Sequence, residues 1–89
     1  MAQVLQMLLE YPTELPLLLK LSRTEFEAEV RFLAAAKLYE LGRISSGKAA
    51  RMADVERAEF LTRLGEYGIP AVNLSGDEVA AEVGTALTS

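Results

Sequence analysis

The sequence predicts a mainly α fold: a short N-terminal strand, a long helix, a helix-turn-helix unit, and a short C-terminal extended segment followed by a helix, assembled as a dimer. Three observations carry this expectation. A start signal at Ser22 and a stop signal at Gly42 bracket one long segment. An alanine-rich stretch and a Phe-Leu stretch flank the break at Asp54-Val55-Glu56. Between these signals the apolar residues recur at three- and four-residue spacing, the period of a helix face.

The elements follow in order. Leu5, Met7, Leu9 and Tyr11 alternate as one face of a strand, although Val4, Leu5, Leu8 and Leu9 also fit one side of a helix. The strand is the preferred reading, and Pro12 ends either element. A lone strand leaves its backbone groups unpaired, so it needs a second segment or a second subunit. Residues 13–21 hold one turn of helix at most, with Pro16 tolerated near its start. Ser22 and Glu25 then form an S-x-x-E capping box, and Leu21 and Phe26 occupy the hydrophobic-staple positions around it. The long helix carries Phe26, Val30, Leu33, Ala34, Leu38 and Leu41 as its stripe and stops at Gly42. Phe32, Ala36 and Tyr39 widen its apolar surface, which suits burial on two sides.

Ser45 is the N-cap of a short helix from about Ser46 to Ala53. A second helix starts at Arg57 and runs to about Tyr67, before Gly68. Residues 69–73 read as a short extended piece. Ser75 and Glu78 form another capping box, for a last helix that Gly84 weakens, so ordering on binding is expected there. The organisation is therefore 1–21, a strand and turn for dimerisation or pairing; 22–68, the long helix plus helix-turn-helix; and 69–89, an acidic tail for a partner.

Composition narrows the chemistry. At 89 residues, 51% of them apolar, the chain can bury a core, yet a domain this small is marginal alone. It has no cysteine, so no disulfide supplements that core, and subunit association is the expected substitute. Having neither His nor Cys, it lacks the usual zinc ligands, thiol nucleophiles and the imidazole base. Glu25, Glu27 and Glu29 alternate around one helix and do not converge on an ion. Ser45-Ser46-Gly47-Lys48 lacks the glycine spacing of a phosphate loop and reads as a cap with a basic neighbour. An enzyme, a cofactor and a small-molecule substrate are not expected. The apolar N-terminus is interrupted at Gln6, Glu10 and Pro12, so neither a leader nor a membrane span is expected and a cytoplasmic location is.

The net charge of −4 is unevenly distributed. Residues 43–63 carry five basic side chains (Arg43, Lys48, Arg51, Arg57, Arg63) against three acids, whereas residues 64–89 carry four acids and no base. A basic middle beside an acidic tail is compatible with a nucleic-acid contact. Two short helices meeting steeply need small residues at their crossing and a turn that accepts a left-handed residue. Ala49, Ala50 and Ala53 supply the first, and Asp54 is tolerable in the second, with Val55 buried behind it. Phe60, Leu61 and Leu64 form the inner face of the second helix. On a helical wheel Gly47, Lys48 and Arg51 point outward from the first helix, placed for phosphate. The second helix turns Ala58, Glu59, Thr62 and Glu66 outward, with Arg57 at its start and Arg63 on its flank. The candidate DNA-contacting set is Ser45, Ser46, Lys48, Arg51, Arg57, Ala58, Thr62 and Arg63. Two outward carboxylates make the second helix a poor reader of bases. A plain helical hairpin used as scaffold is the alternative.

The run Leu38-Tyr39-Glu40-Leu41-Gly42-Arg43-Ile44-Ser45-Ser46-Gly47-Lys48-Ala49-Ala50, followed by Arg57-Ala58-Glu59-Phe60-Leu61 and Gly68-Ile69-Pro70, resembles a family of small prokaryotic proteins. That family was long catalogued as uncharacterised, and many members are now labelled antitoxins of the VapB kind. The resemblance spans about residues 10–83. It implies a dimer that represses its own operon and neutralises a PIN-domain ribonuclease toxin. Asp54 and Glu56 stand where that family has Gly and Ser, and no base follows Arg63 to enter an acidic toxin site. Partner contact from the tail would then rest on Val72, Leu74, Val79 and Val83 or on backbone pairing. The function expected is an antitoxin-type transcriptional regulator, and the alternative is a protein-interaction module that binds no DNA.

Overall fold

In the computed structural model, which describes residues 3–71, the chain forms α1 (Glu14–Leu18), α2 (Arg23–Glu40), α3 (Ser46–Ala53) and α4 (Arg57–Leu64), then a 3-10 turn at Gly65–Tyr67. α2 begins where its capping box requires. Ser22 Oγ accepts the Glu25 amide at 3.0 Å, and Glu25 Oε1 accepts the Ser22 amide at 2.8 Å. α3 begins at Ser45, whose Oγ accepts the Lys48 amide at 3.2 Å. α4 starts after Glu56, which makes no side-chain cap.

The helices stop by one shared device. At each end a residue two or three positions beyond the helix donates to a carbonyl five positions back, while a left-handed residue before it donates three back. These pairs are Leu21 to Pro16 with Lys20 to Leu17, and Arg43 to Leu38 with Gly42 to Tyr39. Val55 to Ala50 with Asp54 to Arg51, and Ile69 to Leu64 with Gly68 to Gly65, complete the set. This is the Schellman arrangement, which satisfies carbonyls that a helix end leaves without partners. The left-handed position is held by glycine at 42 and 68 and by Lys20 and Asp54 elsewhere, at φ of 60° and 62°.

α2 packs on α3, and α3 on α4. The core is Phe32, Ala35, Ala36 and Tyr39 from α2, Ala49, Ala50 and Ala53 from α3, and Phe60 and Leu64 from α4, bordered by Ile44, Val55, Leu61 and Ile69. Alanines on both sides of the α2–α3 contact permit a close approach of the two axes. The rings fill the wider space beside them, with Phe32 and Phe60 centroids 5.2 Å apart and Tyr39 edge-on to Phe60 at 5.9 Å. The buried Tyr39 hydroxyl donates to the Ala71 carbonyl at 2.8 Å, tying the chain beyond the last turn to the C-terminal end of α2.

Two expectations are corrected. Residues 3–11 are not a strand, and among the described residues there is no strand at all. Among the described residues no second segment lies there to complete a ladder. The buried face of α2 also matches the expected stripe only in part: Phe26 is buried and Val30 and Leu38 are half-buried, while the core centres on the widening residues Phe32, Ala36 and Tyr39. Leu33 and Leu41 remain 39% and 58% exposed, and the core takes Phe32, Ala35, Ala36 and Tyr39 instead. Both sets obey helical spacing, so periodicity does not choose between them. The second set carries two rings around small residues, which bury more area and still admit α3. The last helix and its Ser75–Glu78 box, the extended residues 72 and 73, and the tail lie outside the described residues.

Candidate nucleic-acid interface

The α3–turn–α4 segment is held by the alanine face, the left-handed Asp54 and the half-buried Val55. That packing decides which of its polar side chains face water. Lys48 and Arg51 are exposed on α3, and among the described residues neither is in an ion pair or a side-chain hydrogen bond. Ala58 and Thr62 are exposed on α4, beside the exposed Glu59. Ser45 is half-buried and occupied as a cap.

Ser46 is placed differently from its neighbours. It is 2% exposed, and its Oγ accepts a 2.7 Å hydrogen bond from Arg57 Nε. Ser46 lies three and seven residues before Ala49 and Ala53, so the spacing that put alanines inward puts this hydroxyl inward too. The outcome is a bond between the starts of α3 and α4. With Nε engaged, the Arg57 fork points its two terminal nitrogens elsewhere, and the side chain as a whole remains exposed.

Arg63 is half-buried, with its guanidinium carbon 4.1 Å from the Phe32 ring centroid and Nη1 3.8 Å from Glu59 Oε2. It caps the edge of the core by a cation–π contact. Tyr67 adds its ring to the same edge, 5.4 Å from Phe32, and donates to Glu29 Oε2 at 2.6 Å. Partial burial first, and then the Glu29 carboxylate, raise the Tyr67 phenol above its ordinary 10.0. No feature of sequence spacing marks this Phe32–Arg63–Tyr67–Glu29 group, whose members lie as far as 38 residues apart.

The basic side chains share this surface with acids. A shallow, open depression of about 460 Å³ is lined by Arg51, Asp54, Val55, Glu56 and Glu59. Lys48, Arg51 and Arg57 are therefore available to an anion, while the mouth between α3 and α4 repels one. The helix glutamates serve three separate ends. Glu25 caps α2, Glu29 holds Tyr67, and Glu27 accepts Tyr11 at 2.7 Å and Arg23 at 3.1 Å. Among the described residues no three acids gather as a metal site, and no helix is long and apolar enough to cross a membrane. The expected partner-binding residues Val72, Leu74, Val79 and Val83 lie outside the described residues.

Comparison with known proteins finds no solved structure that matches. A curated protein from Archaeoglobus fulgidus, described as a UPF0175 protein, is 35% identical over 63 residues, covering 71% of each chain. The profile of UPF0175, described as an uncharacterised protein family, matches residues 1–87. The chain belongs to the UPF0175 family.

Proposed function

We propose that this protein is an antitoxin-type transcriptional regulator. In this reading α3 and α4 form a helix-turn-helix, the chain binds its operator as a homodimer in the cytoplasm, and its C-terminal segment neutralises a ribonuclease toxin of the PIN type. The observation that supports it best is the α3–turn–α4 packing itself. It turns Lys48, Arg51 and Arg57 outward around a left-handed Asp54, and helix-turn-helix proteins place their first helix across the backbone in this way. Lys48, Arg51 and Arg57 are assigned to phosphates, Arg57 from the start of the groove-facing helix. Arg63 and Ser46 are assigned to holding the unit together. The toxin partner rests on the motif resemblance between residues 38 and 70.

The test is binding of the DNA upstream of its own gene, followed by fluorescence anisotropy across a salt series. Three phosphate contacts from each subunit of the homodimer, six in all, give a slope of log K against log salt of about −5. Lys48→Ala with Arg51→Ala removes two contacts from each subunit and flattens that slope by about 3.5. Absence of salt-sensitive binding, with and without the product of the adjacent gene, overturns the DNA role. Asp54, Glu56 and Glu59 around the depression favour the second reading, a protein-interaction module with the helical pair as scaffold. Its signature is stable co-purification with that neighbour and indifference to DNA.

A further inference from the structure

The N-terminal arm is a largely apolar segment that the other described residues leave mostly uncovered. Leu5 is fully exposed, Met7 and Leu8 are each 86% exposed, and Val4 is 78% exposed. The arm's root is nevertheless fixed. Tyr11 packs on Phe26 with centroids 4.6 Å apart, and its hydroxyl donates to Glu27 at the start of α2. Between Gln3 and Tyr11, among the described residues, no backbone amide or carbonyl has a backbone partner. The arm thus combines a held base with unpaired backbone groups, and its sequence alternates Leu5, Met7, Leu9 and Tyr11, the pattern of a strand that forms only when a partner completes the ladder.

We infer that the partner is the same arm of a second copy, paired antiparallel with Met7 on the two-fold axis. This extends the homodimer of the functional reading and does not depend on its DNA contacts. Centring on Met7 sets Leu5 opposite Leu9 and Gln3 opposite Tyr11, so Leu5, Met7, Leu9 and Tyr11 of both copies share one face. The other face pairs Val4 with Glu10 and Gln6 with Leu8. Charge supports self-pairing. Residues 3–9 carry no charge, and the two Glu10 side chains sit six positions apart along the ribbon, about 20 Å. Pro12, which has no amide to donate, falls just outside the last pair. The interface is isologous, so one segment serves both subunits and closes the assembly at two.

The chain contains no cysteine, so single-cysteine variants report pairing without background. In this register the two copies of residue 7 have Cα atoms about 4.5–5.5 Å apart, inside the range a disulfide spans. The two copies of residue 3 are eight positions apart, about 27 Å. Mild oxidation of the full-length protein is expected to convert Met7→Cys to a covalent dimer and to leave Gln3→Cys monomeric on a denaturing gel. Sedimentation of the wild type is expected to show a dimer, and Leu5→Glu to weaken it about tenfold or more while leaving the helical circular dichroism intact. Equal cross-linking at both positions, or a dimer in which Met7→Cys stays uncoupled, overturns the register. A wild type that is monomeric at every concentration overturns the pairing, even if it binds DNA. A cross-linked dimer that ignores DNA supports the pairing and removes the DNA role alone.

Discussion

Arg57 Nε donates to Ser46 Oγ at 2.7 Å, a bond that joins the first residue of α4 to the first residue of α3. Ser46 is nearly inaccessible, whereas Arg57 reaches solvent. Replacing Ser46 by alanine therefore continues the small α3 face and lets water take over the Arg57 nitrogen. The expected loss of stability is small, within about 1 kcal/mol. The orientation of Arg57 is lost, and with it the readiness of its fork for an anion. Ser46→Ala is expected to melt within a few degrees of the wild type and to bind operator DNA several-fold more weakly. Arg57→Lys, which cannot form a fork, should share the binding defect. Thermal melts and anisotropy titrations on the same samples check this.

Asp54 closes α3 in the left-handed region, at φ 62°. Glycine enters that region without a Cβ clash, at the cost of a more flexible unfolded chain. Asp54→Gly is expected to stabilise by about 0.5–1 kcal/mol, which for a domain of this size raises Tm by a few degrees. Asp54→Val, β-branched at positive φ, should destabilise by about 1–2 kcal/mol. Glu56→Ser supplies the side-chain cap that α4 lacks and is expected to add about 1 kcal/mol. Calorimetry of the three variants reads all of these changes.

Glu27 accepts from Tyr11 and from Arg23, and these hydrogen bonds, Tyr11 first, hold its carboxyl below the ordinary 4.5. A depressed folded value stabilises the fold above the unfolded one, and that stabilisation disappears as pH falls below 4.5 through the folded value. The same bond raises the Tyr11 phenol above 10.0, chiefly through Glu27, so its contribution is present below pH 10 and disappears as pH rises further. Glu27 is exposed and Tyr11 only half-buried, so the effect is modest. Glu27→Gln is expected to flatten both limbs of a plot of urea midpoint against pH. An unchanged acid limb would show that the bond does not persist in solution.

Tyr39 is fully buried in α2, and its hydroxyl donates to the Ala71 carbonyl. Tyr39→Phe keeps the ring and removes this donor, at a cost of about 1 kcal/mol. The local consequence should be larger than the global one. Amide exchange at Ile69 and Ala71 is expected to accelerate more than exchange within α2, as measured by hydrogen–deuterium exchange.

The ends of the elements were legible because their causes are local. Ser22 with Glu25, Ser45 with Lys48, and the stops at Gly42, Asp54 and Gly68 each act within three to five residues. The alanine face of α3 and the inner residues Phe60 and Leu64 of α4 were legible for the same reason, since one helix repeat contains them. The site was legible in part. Lys48, Arg51, Ala58 and Thr62 face solvent as the wheel places them. Ser46 and Arg63 do not stand where the expectation put them, because the groups that claim them come from other elements. Arg57 lies 11 residues from Ser46, and Phe32 belongs to a different helix from Arg63.

The sequence by itself determined where α2 and α3 start and stop, where α4 starts, and that Ala49, Ala50, Ala53, Phe60 and Leu64 turn inward, because capping and spacing act over a single turn. Only the tertiary structure decided which of two equally periodic faces of α2 is buried. It also decided that residues 3–11 remain unpaired among the described residues, and which arginines serve the fold and which face water. Each of those outcomes depends on how rings and alanines from separate helices fit together. That fit is a property of volume and contact between distant residues, and no pattern along the chain encodes it.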